Sequence, residues 1–303
     1  MKNETSLVEL SGALADAAES AGRSVVRVEG RARPVSGTLL SAEGHVVAIG
    51  HTLEHDDVVL GLADGSTVRA SVVGRDAGTD LALLKAEASG LQPAPWGELD
   101  GARVGQLVLG VYRPGRTTRA TFGVIGALGE AWRTRFGGKV DRYVEASLPL
   151  HPGFSGGLLV DAAGRALALS TSGLIRGVAL GIPASTVRRV TQELLAHGRV
   201  RRGYLGVGSY PVALPAALGE RLGQPSGLLV VSVEDESPAA RAGLFLGDVI
   251  VAADGRATRE PADLLAALDE DRIGRDAALR VLRAGEIVEK LVRVAEREAP
   301  PNP

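Results

Sequence analysis

The 303-residue chain contains no cysteine, so no disulfide can hold its fold and no thiol can act in its chemistry. Only 3% of the residues are aromatic, and its cores must therefore consist mainly of valine, leucine and alanine. No apolar run approaches the roughly 18 residues that a membrane span requires. The net charge is −2 with both signs intermixed, which gives no electrostatic case for nucleic-acid binding. We therefore expect neither a nucleic-acid partner nor a membrane span.

The N-terminal sequence contains no recognisable secretory signal, because Met1–Ser6 leads into no long apolar segment. We therefore expect a cytoplasmic protein, with the cell envelope as the alternative if a targeting segment was removed. The residues from Ser6 to Glu9 fit a capping box, and apolar residues then recur at helical spacing as far as Gly22. A helix is thus predicted before the first strand.

From Val25 the pattern changes to short apolar segments separated by turn signals, which is typical of antiparallel β-structure. Twelve strands are predicted in two groups of six: Val25–Val28, Thr38–Leu40, His45–Ile49, Val58–Leu62, Val68–Val73 and Leu81–Leu84, then Gln106–Val111, Thr121–Leu128, Arg142–Glu145, Leu158–Val160, Ala166–Thr171 and Val178–Ile182. No long helix separates the groups, so two packed antiparallel barrels are expected. A helix from Pro183 to Gly198 and a polar hinge, Arg199–Gly203, follow.

The segment His151–Gly157 (His-Pro-Gly-Phe-Ser-Gly-Gly) places a serine where the backbone must turn sharply. Such a turn exposes the hydroxyl of Ser155 and can aim the amides of Gly153 and Ser155 at one point, as an oxyanion hole requires. By itself the segment favours an ordinary glycine-rich turn. A serine is a weak nucleophile without a base, so the interpretation depends on whether the chain supplies one.

Two earlier segments supply a histidine and an aspartate. His51 follows an apolar strand that ends at Ile49, and Asp80 precedes the hydrophobic strand that begins at Leu81. The order His51, Asp80, Ser155 along the chain is that of chymotrypsin-type enzymes. His51 would accept the proton of Ser155, and Asp80 would hold the imidazole in the required tautomer. Together the three segments predict a catalytic triad in a cleft between the two barrels.

The segments around the aspartate and the serine resemble those of the HtrA-type (Deg) serine proteases, which join a trypsin-like domain to a PDZ domain. The matching segments are Thr79–Lys85 (Thr-Asp-Leu-Ala-Leu-Leu-Lys) and Pro152–Gly157 (Pro-Gly-Phe-Ser-Gly-Gly), and the resemblance extends over nearly the whole chain. It implies a mainly β fold: a chymotrypsin-like double β-barrel over residues 1–200 and a PDZ domain (α+β) over 203–297. Residues 298–303 are predicted to be a disordered tail.

The resemblance also implies a function. It is that of a serine endopeptidase that cleaves unfolded or damaged proteins through an acyl-enzyme. No cofactor and no metal are expected, because no cluster other than the His51–His55 segment has ligand spacing. Family members commonly form trimers through N-terminal aromatic contacts, so a homo-oligomer is a further expectation. This chain has no aromatic residue before Trp96, and its assembly therefore stays open.

The segment Tyr204-Leu205-Gly206-Val207 resembles the carboxylate-binding loop of PDZ domains. Consecutive loop amides can capture the terminal carboxylate of a peptide, which then adds as a strand to the sheet edge. A helix predicted from Pro261 would form the far wall of this groove. Unfolded proteins and C-terminal peptides are thus the expected partners.

Two alternatives remain open at this point. The segment His51-Thr52-Leu53-Glu54-His55 also matches an inverted zinc-peptidase motif, which would need a helix to present both histidines on one face. The other alternative is a protease-like adaptor that binds peptides without cleaving them. It rests on Phe154, which stands where the family usually has asparagine, and on the residues around His51, Ala48-Ile49-Gly50 and Thr52-Leu53, which also depart from the family pattern. An altered turn at Phe154 could misdirect the amide of Gly153.

Overall fold

The computed structural model describes residues 7–297, so the predicted N-cap Ser6 and the predicted tail 298–303 lie outside the described residues. The chain divides into two compact units, Met1–Val200 and Arg201–Pro303. In the first unit, helix α1 spans Leu7–Gly22, and its buried residue Ala17 packs with Leu109 and Leu158 of the strands that follow. No helix in the described part of the chain is long and apolar enough to cross a membrane.

Six antiparallel strands close the first barrel, in the order β1-β2-β3-β6-β5-β4. They are β1 (Val25–Val28), β2 (Val35–Leu39), β3 (His45–Ile49), β4 (Asp57–Gly61), β5 (Thr67–Asp76) and β6 (Leu81–Ala86). Small aliphatic side chains fill its interior, as the scarcity of aromatic residues requires. The predicted β2 begins three residues too late, because Val35 and Ser36 pair with Val28 and Arg27 of β1.

Six further strands close the second barrel, in the order β11-β14-β13-β12-β7-β8. They are β7 (Leu107–Tyr112), β8 (Arg119–Gly129), β11 (Tyr143–Ala146), β12 (Leu158–Val160), β13 (Ala166–Thr171) and β14 (Leu180–Pro183). A short hairpin of β9 (Trp132–Arg133) and β10 (Lys139–Val140), which the sequence does not predict, stands outside the barrel. Helix α2 (Ala184–His197) ends at Gly198 in the left-handed conformation. The expected double barrel is therefore confirmed.

The second unit is built on an antiparallel sheet with the strand order β16-β17-β18-β20-β21. Its strands are β15 (Gly203–Tyr204), β16 (Val207–Ala213), β17 (Ser226–Val233), β18 (Val249–Ala253), β19 (Arg256–Ala257), β20 (Asp276–Arg283), β21 (Glu286–Arg293) and β22 (Ala295–Glu296). Its helices are α3 (Ala216–Leu222), α4 (Pro238–Arg241) and α5 (Pro261–Ala266). Among the described strands β16 pairs only with β17, which leaves its outer edge open.

Candidate active site

The pairing of β3 with β6 brings His51 and Asp80 together. Ile49, the last residue of β3, lies opposite Leu81, the first residue of β6, so the residues just beyond both strand ends are neighbours. The amide of Gly50 donates to the carbonyl oxygen of Asp80 over 2.7 Å and extends this ladder. His51 then lies in a short 3-10 turn, Gly50–Thr52. Two segments that are 29 residues apart in sequence thus converge because their strands are adjacent and antiparallel.

The carboxylate of Asp80 holds His51 at two points. Its Oδ1 accepts the backbone amide of His51 over 2.9 Å, and its Oδ2 lies 2.5 Å from the imidazole Nδ1. The Asp80 side chain is only 14% exposed, whereas that of His51 is 57% exposed. A carboxylate at Nδ1 fixes the tautomer that leaves Nε2 free as a base. The imidazole is therefore oriented from one side and open to solvent on the other.

Asp80 also governs the protonation of His51. Its hydrogen bond raises the pKa of His51 above the ordinary value of 6.5, desolvation opposes this rise, and the negative charge of Asp80 adds to it. The cause is that a carboxylate stabilises the imidazolium form. His51 consequently binds a proton more tightly than a solvated histidine does.

Ser155 lies in a loop that follows a tight turn. The amide of Phe154 donates to the carbonyl oxygen of His151 over 3.2 Å, with Pro152 and Gly153 at the two central positions. Gly153 has a φ of +86°, which fits the third position of a type II turn after proline. Among residues 7–297, neither the amide of Gly153 nor that of Ser155 donates a hydrogen bond to another protein group. The amide of Gly153 and that of Ser155 itself therefore have no partner among the described residues, and their role as an oxyanion hole stays a prediction.

The hydroxyl of Ser155 does not bond to His51. Its Oγ lies 3.1 Å from the Oγ of Ser172 and accepts the amide of Ser172 over 3.3 Å. Within the described residues no hydrogen bond joins Ser155 to His51, although both line the same cleft of about 540 Å3, as do Gly153 and Ser172. Three of the predicted residues, His51, Gly153 and Ser155, thus line one cleft. The His51–Asp80 hydrogen bond is formed, and the one from Ser155 to His51 is not.

The aromatic residue that distinguishes this loop is part of its packing. Phe154 is 6% exposed, and its ring stacks on that of Tyr112 with centroids 3.9 Å apart and an angle of 11°. The His151 ring meets the edge of Phe154 at 5.0 Å. Both rings are buried, and large aromatic side chains contribute strongly to the energetics of a core. Phe154 therefore anchors the turn in the second barrel.

Strand β2 of the first barrel holds the same loop by hydrogen bonds, an arrangement that local sequence patterns do not indicate. The hydroxyl of Ser36 donates to the carbonyl oxygen of Gly153 over 3.0 Å, and its amide donates to that of Ser155 over 3.2 Å. The hydroxyl of Thr38 donates to the carbonyl oxygen of Gly156 over 3.0 Å. Both donors are fully buried. The two barrels are therefore joined directly at the serine loop.

A buried arginine supports Ser36 from behind. The backbone amide of Arg113 donates to the Ser36 hydroxyl over 3.0 Å, and its guanidinium donates to the carbonyl oxygens of Val25 and Gly22 over 2.7 and 2.8 Å. Desolvation lowers the pKa of Arg113. A series of hydrogen bonds thus connects the end of α1 with Arg113, Arg113 with Ser36, and Ser36 with the carbonyl oxygen of Gly153.

The segment His51–His55 does not have the geometry of a zinc-peptidase motif. It forms a 3-10 turn that ends at Thr52 and then an irregular stretch before β4, so its two histidines do not share a helical face. Within residues 7–297 there is no group of three or more histidine, aspartate and glutamate side chains that could hold a metal ion. The zinc interpretation therefore lacks the helix on which it depends.

The predicted carboxylate-binding loop lies between β15 and β16 of the second unit. Among the described residues, the amides of Leu205 and Gly206 donate no hydrogen bond to another protein group. Gly206 has a φ of +80°, and a Cβ there would lie 2.2 Å from the Cβ of Ser237, so only glycine fits. Tyr204 does not belong to the open part of the loop, because it pairs with Ala295 and its hydroxyl contacts a glutamate.

Comparisons with known proteins agree with both units. The trypsin-like peptidase domain family matches residues 35–169, and the PDZ domain family matches residues 190–294. A probable periplasmic serine endoprotease, DegP-like, of Brucella suis is 34% identical over 278 residues, which are 88% of this chain and 54% of the relative. One of Pseudomonas fluorescens is 32% identical over 258 residues, 83% of this chain and 54% of the relative. The chain spans about half the length of the curated relatives it matches.

These names overturn the expectation of a cytoplasmic location. The relatives are named periplasmic, which points to the cell envelope, whereas the cytoplasmic expectation rested on the N-terminal residues alone. A short stretch of sequence carries no information on location when its only feature is that it lacks a signal.

Solved structures match over the full length of both chains. The HtrA-type protease AlgW with a decapeptide is 30% identical, with a TM-score of 0.78, and the alignment covers 95% of this chain and 99% of that one. The same protease with a tripeptide is 32% identical, with a TM-score of 0.77 and coverage of 95% and 98%. With its double barrel, its His51–Asp80 pair beside a serine loop and its PDZ unit, this chain belongs to the HtrA-type serine protease family.

Proposed function

We propose that residues 1–200 form a serine endopeptidase domain that cleaves unfolded or damaged proteins through an acyl-enzyme on Ser155. We further propose that residues 203–297 form a PDZ domain that binds the C-termini of peptides. The observation that carries the first proposal is the His51–Asp80 pair, whose free imidazole edge faces the cleft that Ser155 also lines. A histidine held by a carboxylate at Nδ1 can accept the proton of a serine at Nε2.

The proposed reaction assigns a role to each group of the site and uses His51 in both of its halves. Ser155 Oγ attacks the peptide carbonyl carbon while His51 Nε2 accepts its proton, and the unpaired amides of Gly153 and Ser155 donate to the oxygen as it becomes negative. His51 then gives the proton to the leaving amine. Water, activated by the same base, hydrolyses the acyl-Ser155 ester. Asp80 retains the Nδ1 hydrogen bond and stabilises the imidazolium that forms.

Support for a peptide substrate comes from the cleft and from the relatives. The cleft is lined by apolar side chains such as Val35 and Leu150 and by polar ones that include Arg31 and Arg33, a mixed lining that suits an extended peptide. Two of the similar structures hold a decapeptide or a tripeptide. An unfolded chain can present an extended segment to such a cleft, whereas the same segment in a folded protein is already paired.

Support for the second proposal lies in the loop before β16. Its two consecutive unpaired amides, those of Leu205 and Gly206, are suited to a carboxylate, and the open edge of β16 can accept an extended peptide. The far side of the unit's core includes Leu264 and Leu268 of the α5 region, as expected for a groove wall, although both are largely buried. Leu265, which is 38% exposed, is the leucine available for contact.

The first proposal is tested by removing the nucleophile and the base. Ser155→Ala and His51→Ala should each reduce cleavage of unfolded casein by at least about 10³-fold, because either loss abolishes the acyl-enzyme step. A fluorophosphonate probe should label the unaltered protein at Ser155 and label neither variant. Ser89→Ala, which changes an exposed loop serine, is the matched control and should behave as the unaltered protein.

Contrary results would select among the alternatives. Full cleavage by the purified Ser155→Ala variant would refute the serine mechanism. Unaltered protein that neither cleaves casein nor reacts with the probe would favour the peptide-binding adaptor. Cleavage that chelators abolish and zinc restores would return the metallopeptidase interpretation.

The location and the assembly are proposals as well. The periplasmic names of the relatives support a site of action in the cell envelope, which fractionation and immunoblotting of the native host would test. The family resemblance favours a homo-oligomer, in particular a trimer. Light scattering of the full chain measures its mass in solution and so tests this proposal. A monomer at all concentrations would exclude it.

A further inference from the structure

Ser172 is the residue that holds the hydroxyl of Ser155. It contributes two groups to one oxygen: its own Oγ at 3.1 Å and its backbone amide at 3.3 Å. The Ser172 side chain is exposed, and Ser155 is half-buried. No other hydrogen bond of the Ser155 hydroxyl occurs within residues 7–297. Without substrate, the position of the Ser155 hydroxyl is therefore set by hydrogen bonds to one residue, Ser172.

Pairing of β12 with β13 brings the two serine segments close together. Leu158 lies opposite Leu169, and the amide of Ser170 donates to the carbonyl oxygen of Gly157 over 2.8 Å. The ladder then becomes irregular, because the amide of Gly156 also donates to the carbonyl oxygen of Ser170, over 2.8 Å. Ser155 and Ser172 thus meet just beyond the paired ends of the two strands.

The residues after β13 are held firmly as well. The amide of Gly173 donates to the hydroxyl of Thr171, which is 1% exposed, over 3.1 Å. A Cβ on Gly173 would lie 2.7 Å from the Cε1 of His51, so this segment lies directly against the imidazole. Ser172 therefore lies between a buried residue, Thr171, and a glycine whose backbone packs against His51.

A hydrogen bond to Ser172 competes with the one that catalysis needs. A serine hydroxyl has one proton, and it becomes nucleophilic when that proton lies on the line to the base. If the proton points to Ser172, it cannot be transferred to His51. If the Ser172 hydroxyl and amide both donate, they occupy the oxygen lone pairs that must attack the substrate. In either arrangement the nucleophile has to leave Ser172 before it reacts.

We propose that Ser172 is a positioning residue that holds the Ser155 hydroxyl away from His51 until substrate enters the cleft. The inference rests on the proposed function, because it concerns the activation of the same serine. A peptide in the cleft meets Ser172, which lines it, and offers a carbonyl or amide partner for its hydroxyl. Ser155 is then free to turn toward the imidazole. Ser172 thereby links the reactivity of the nucleophile to occupancy of the cleft.

The test compares a small probe with a protein substrate. Ser172→Ala removes the hydroxyl contact, and the second-order rate of labelling by a small fluorophosphonate should rise about three- to tenfold, the equivalent of one ordinary hydrogen bond. With unfolded casein the gain in kcat/KM should be below about twofold, because the substrate itself releases Ser155. A loss of structural support would instead lower both rates together.

Ser172→Thr and Ser172→Val form a matched pair of nearly equal shape. The threonine variant keeps the hydroxyl and should label at the original rate, whereas the valine variant should label faster, as the alanine variant does. Ser89→Ala should leave the labelling rate unchanged. Circular dichroism and thermal unfolding establish that each variant folds, and the exposure of Ser172 predicts that they do.

Each outcome is decisive for Ser172. An unchanged or slower labelling rate in both the alanine and the valine variant would overturn the proposal, provided that Ser155→Ala abolishes labelling. An equal gain with probe and casein would refute release by substrate. Absence of labelling in the unaltered protein together with faster labelling of Ser172→Ala would support the restraint. If no variant is labelled at all, the serine mechanism itself fails, and the proposal about Ser172 is overturned with it.

Discussion

At the scale of single residues, Asp80 combines an unusual backbone with a directed carboxylate. Its φ of +62° lies in the left-handed region, which aspartate and asparagine tolerate better than most residues. That conformation lets its carbonyl oxygen accept the Gly50 amide while its side chain turns to His51. The preceding turn is built on Asp76, which is 5% exposed and accepts the amide and the hydroxyl of Thr79.

Replacing Asp80 by asparagine should distinguish the effect of its negative charge from the effect of its size and backbone conformation. Asn keeps the backbone preference and the size, but it removes the negative charge and can place an amide group against Nδ1. The tautomer with a free Nε2 is then lost, and kcat/KM for casein should fall about 10³–10⁴-fold. Steady-state kinetics of the Asp80→Asn variant measure the effect, with thermal unfolding as the control for folding. A loss below tenfold would contradict the role of Asp80.

The pH dependence of cleavage follows from the raised pKa of His51. The neutral imidazole is the base, so kcat/KM should rise with pH through a midpoint above 6.5. The stabilisation by the charged His51–Asp80 pair has the opposite sign: it is fully present below pH 6.5 and is lost as pH rises through the raised value. Rates measured from pH 5 to 9 give the midpoint, and Asp80→Asn should move it to lower pH. A midpoint below 6.5 in the unaltered protein would disagree.

At the scale of elements, the position of the serine loop depends on β2 of the other barrel. Ser36 and Thr38 are two residues apart, so their side chains point to the same face of the strand. Their hydroxyls reach the carbonyl oxygens on either side of Ser155, those of Gly153 and Gly156. The Gly153–Phe154 peptide, which follows the Gly153 amide, is therefore held by contacts between barrels and not by the turn alone.

Ser36→Ala should weaken the oxyanion hole more than the fold. It leaves the Gly153 carbonyl and the Arg113 amide without partners, which should lower the free energy of unfolding by about 1–3 kcal/mol. Because the peptide that follows the Gly153 amide loses its anchor, this amide is held less well in place, and kcat/KM should fall about 10–100-fold. Thr38→Val is the matched variant: it should destabilise to a similar extent but retain most activity, since Gly156 donates nothing to the oxyanion. Equal losses of activity in both variants would argue against this assignment.

At the scale of the whole molecule, each unit has a core of its own. The core of the second unit consists of residues from Leu205 to Val294, and an ion pair supports it: Arg283 donates through Nε and Nη2 to the two oxygens of Asp248, each over 2.7 Å. Asp248 is 2% exposed. Desolvation would raise the pKa of Asp248, but the hydrogen bonds from Arg283 and Phe245 and nearby positive charges outweigh it and lower the pKa.

A fragment of residues 201–297 should therefore fold alone and bind peptides. It should bind short peptides with an apolar last residue and a free carboxylate, and amidation of that terminus should weaken binding at least about tenfold, because the amides of Leu205 and Gly206 lose a charged acceptor. Isothermal titration calorimetry with the free-acid and the amidated peptide measures the two affinities. A 1H–15N correlation spectrum of the fragment verifies that it is folded. Equal affinity for both forms would exclude a carboxylate site in this loop.

The sequence by itself determined the features that depend on neighbours in the chain. Strand periodicity predicts two groups of six strands. His51 follows the end of β3 by two residues, and Asp80 directly precedes β6, so the strand pattern leads to both. The catalytic roles of these two residues and of Ser155 stay predictions. The β9–β10 hairpin and the start of β2 were not predictable, because strands of two residues and strand ends carry too little apolar pattern to stand out.

The tertiary structure alone decided which residues surround the serine. Ser36 lies 117 positions from Gly153 in the chain, and Ser172 lies 17 positions beyond Ser155, so no local spacing connects either pair. Ser36 reaches the loop because the barrels pack against each other. Ser172 reaches it because it directly follows β13, which pairs with β12, the strand that the serine loop precedes. Hydrogen bonds between distant segments require the closed barrels first, and for this reason they appear only in the folded molecule.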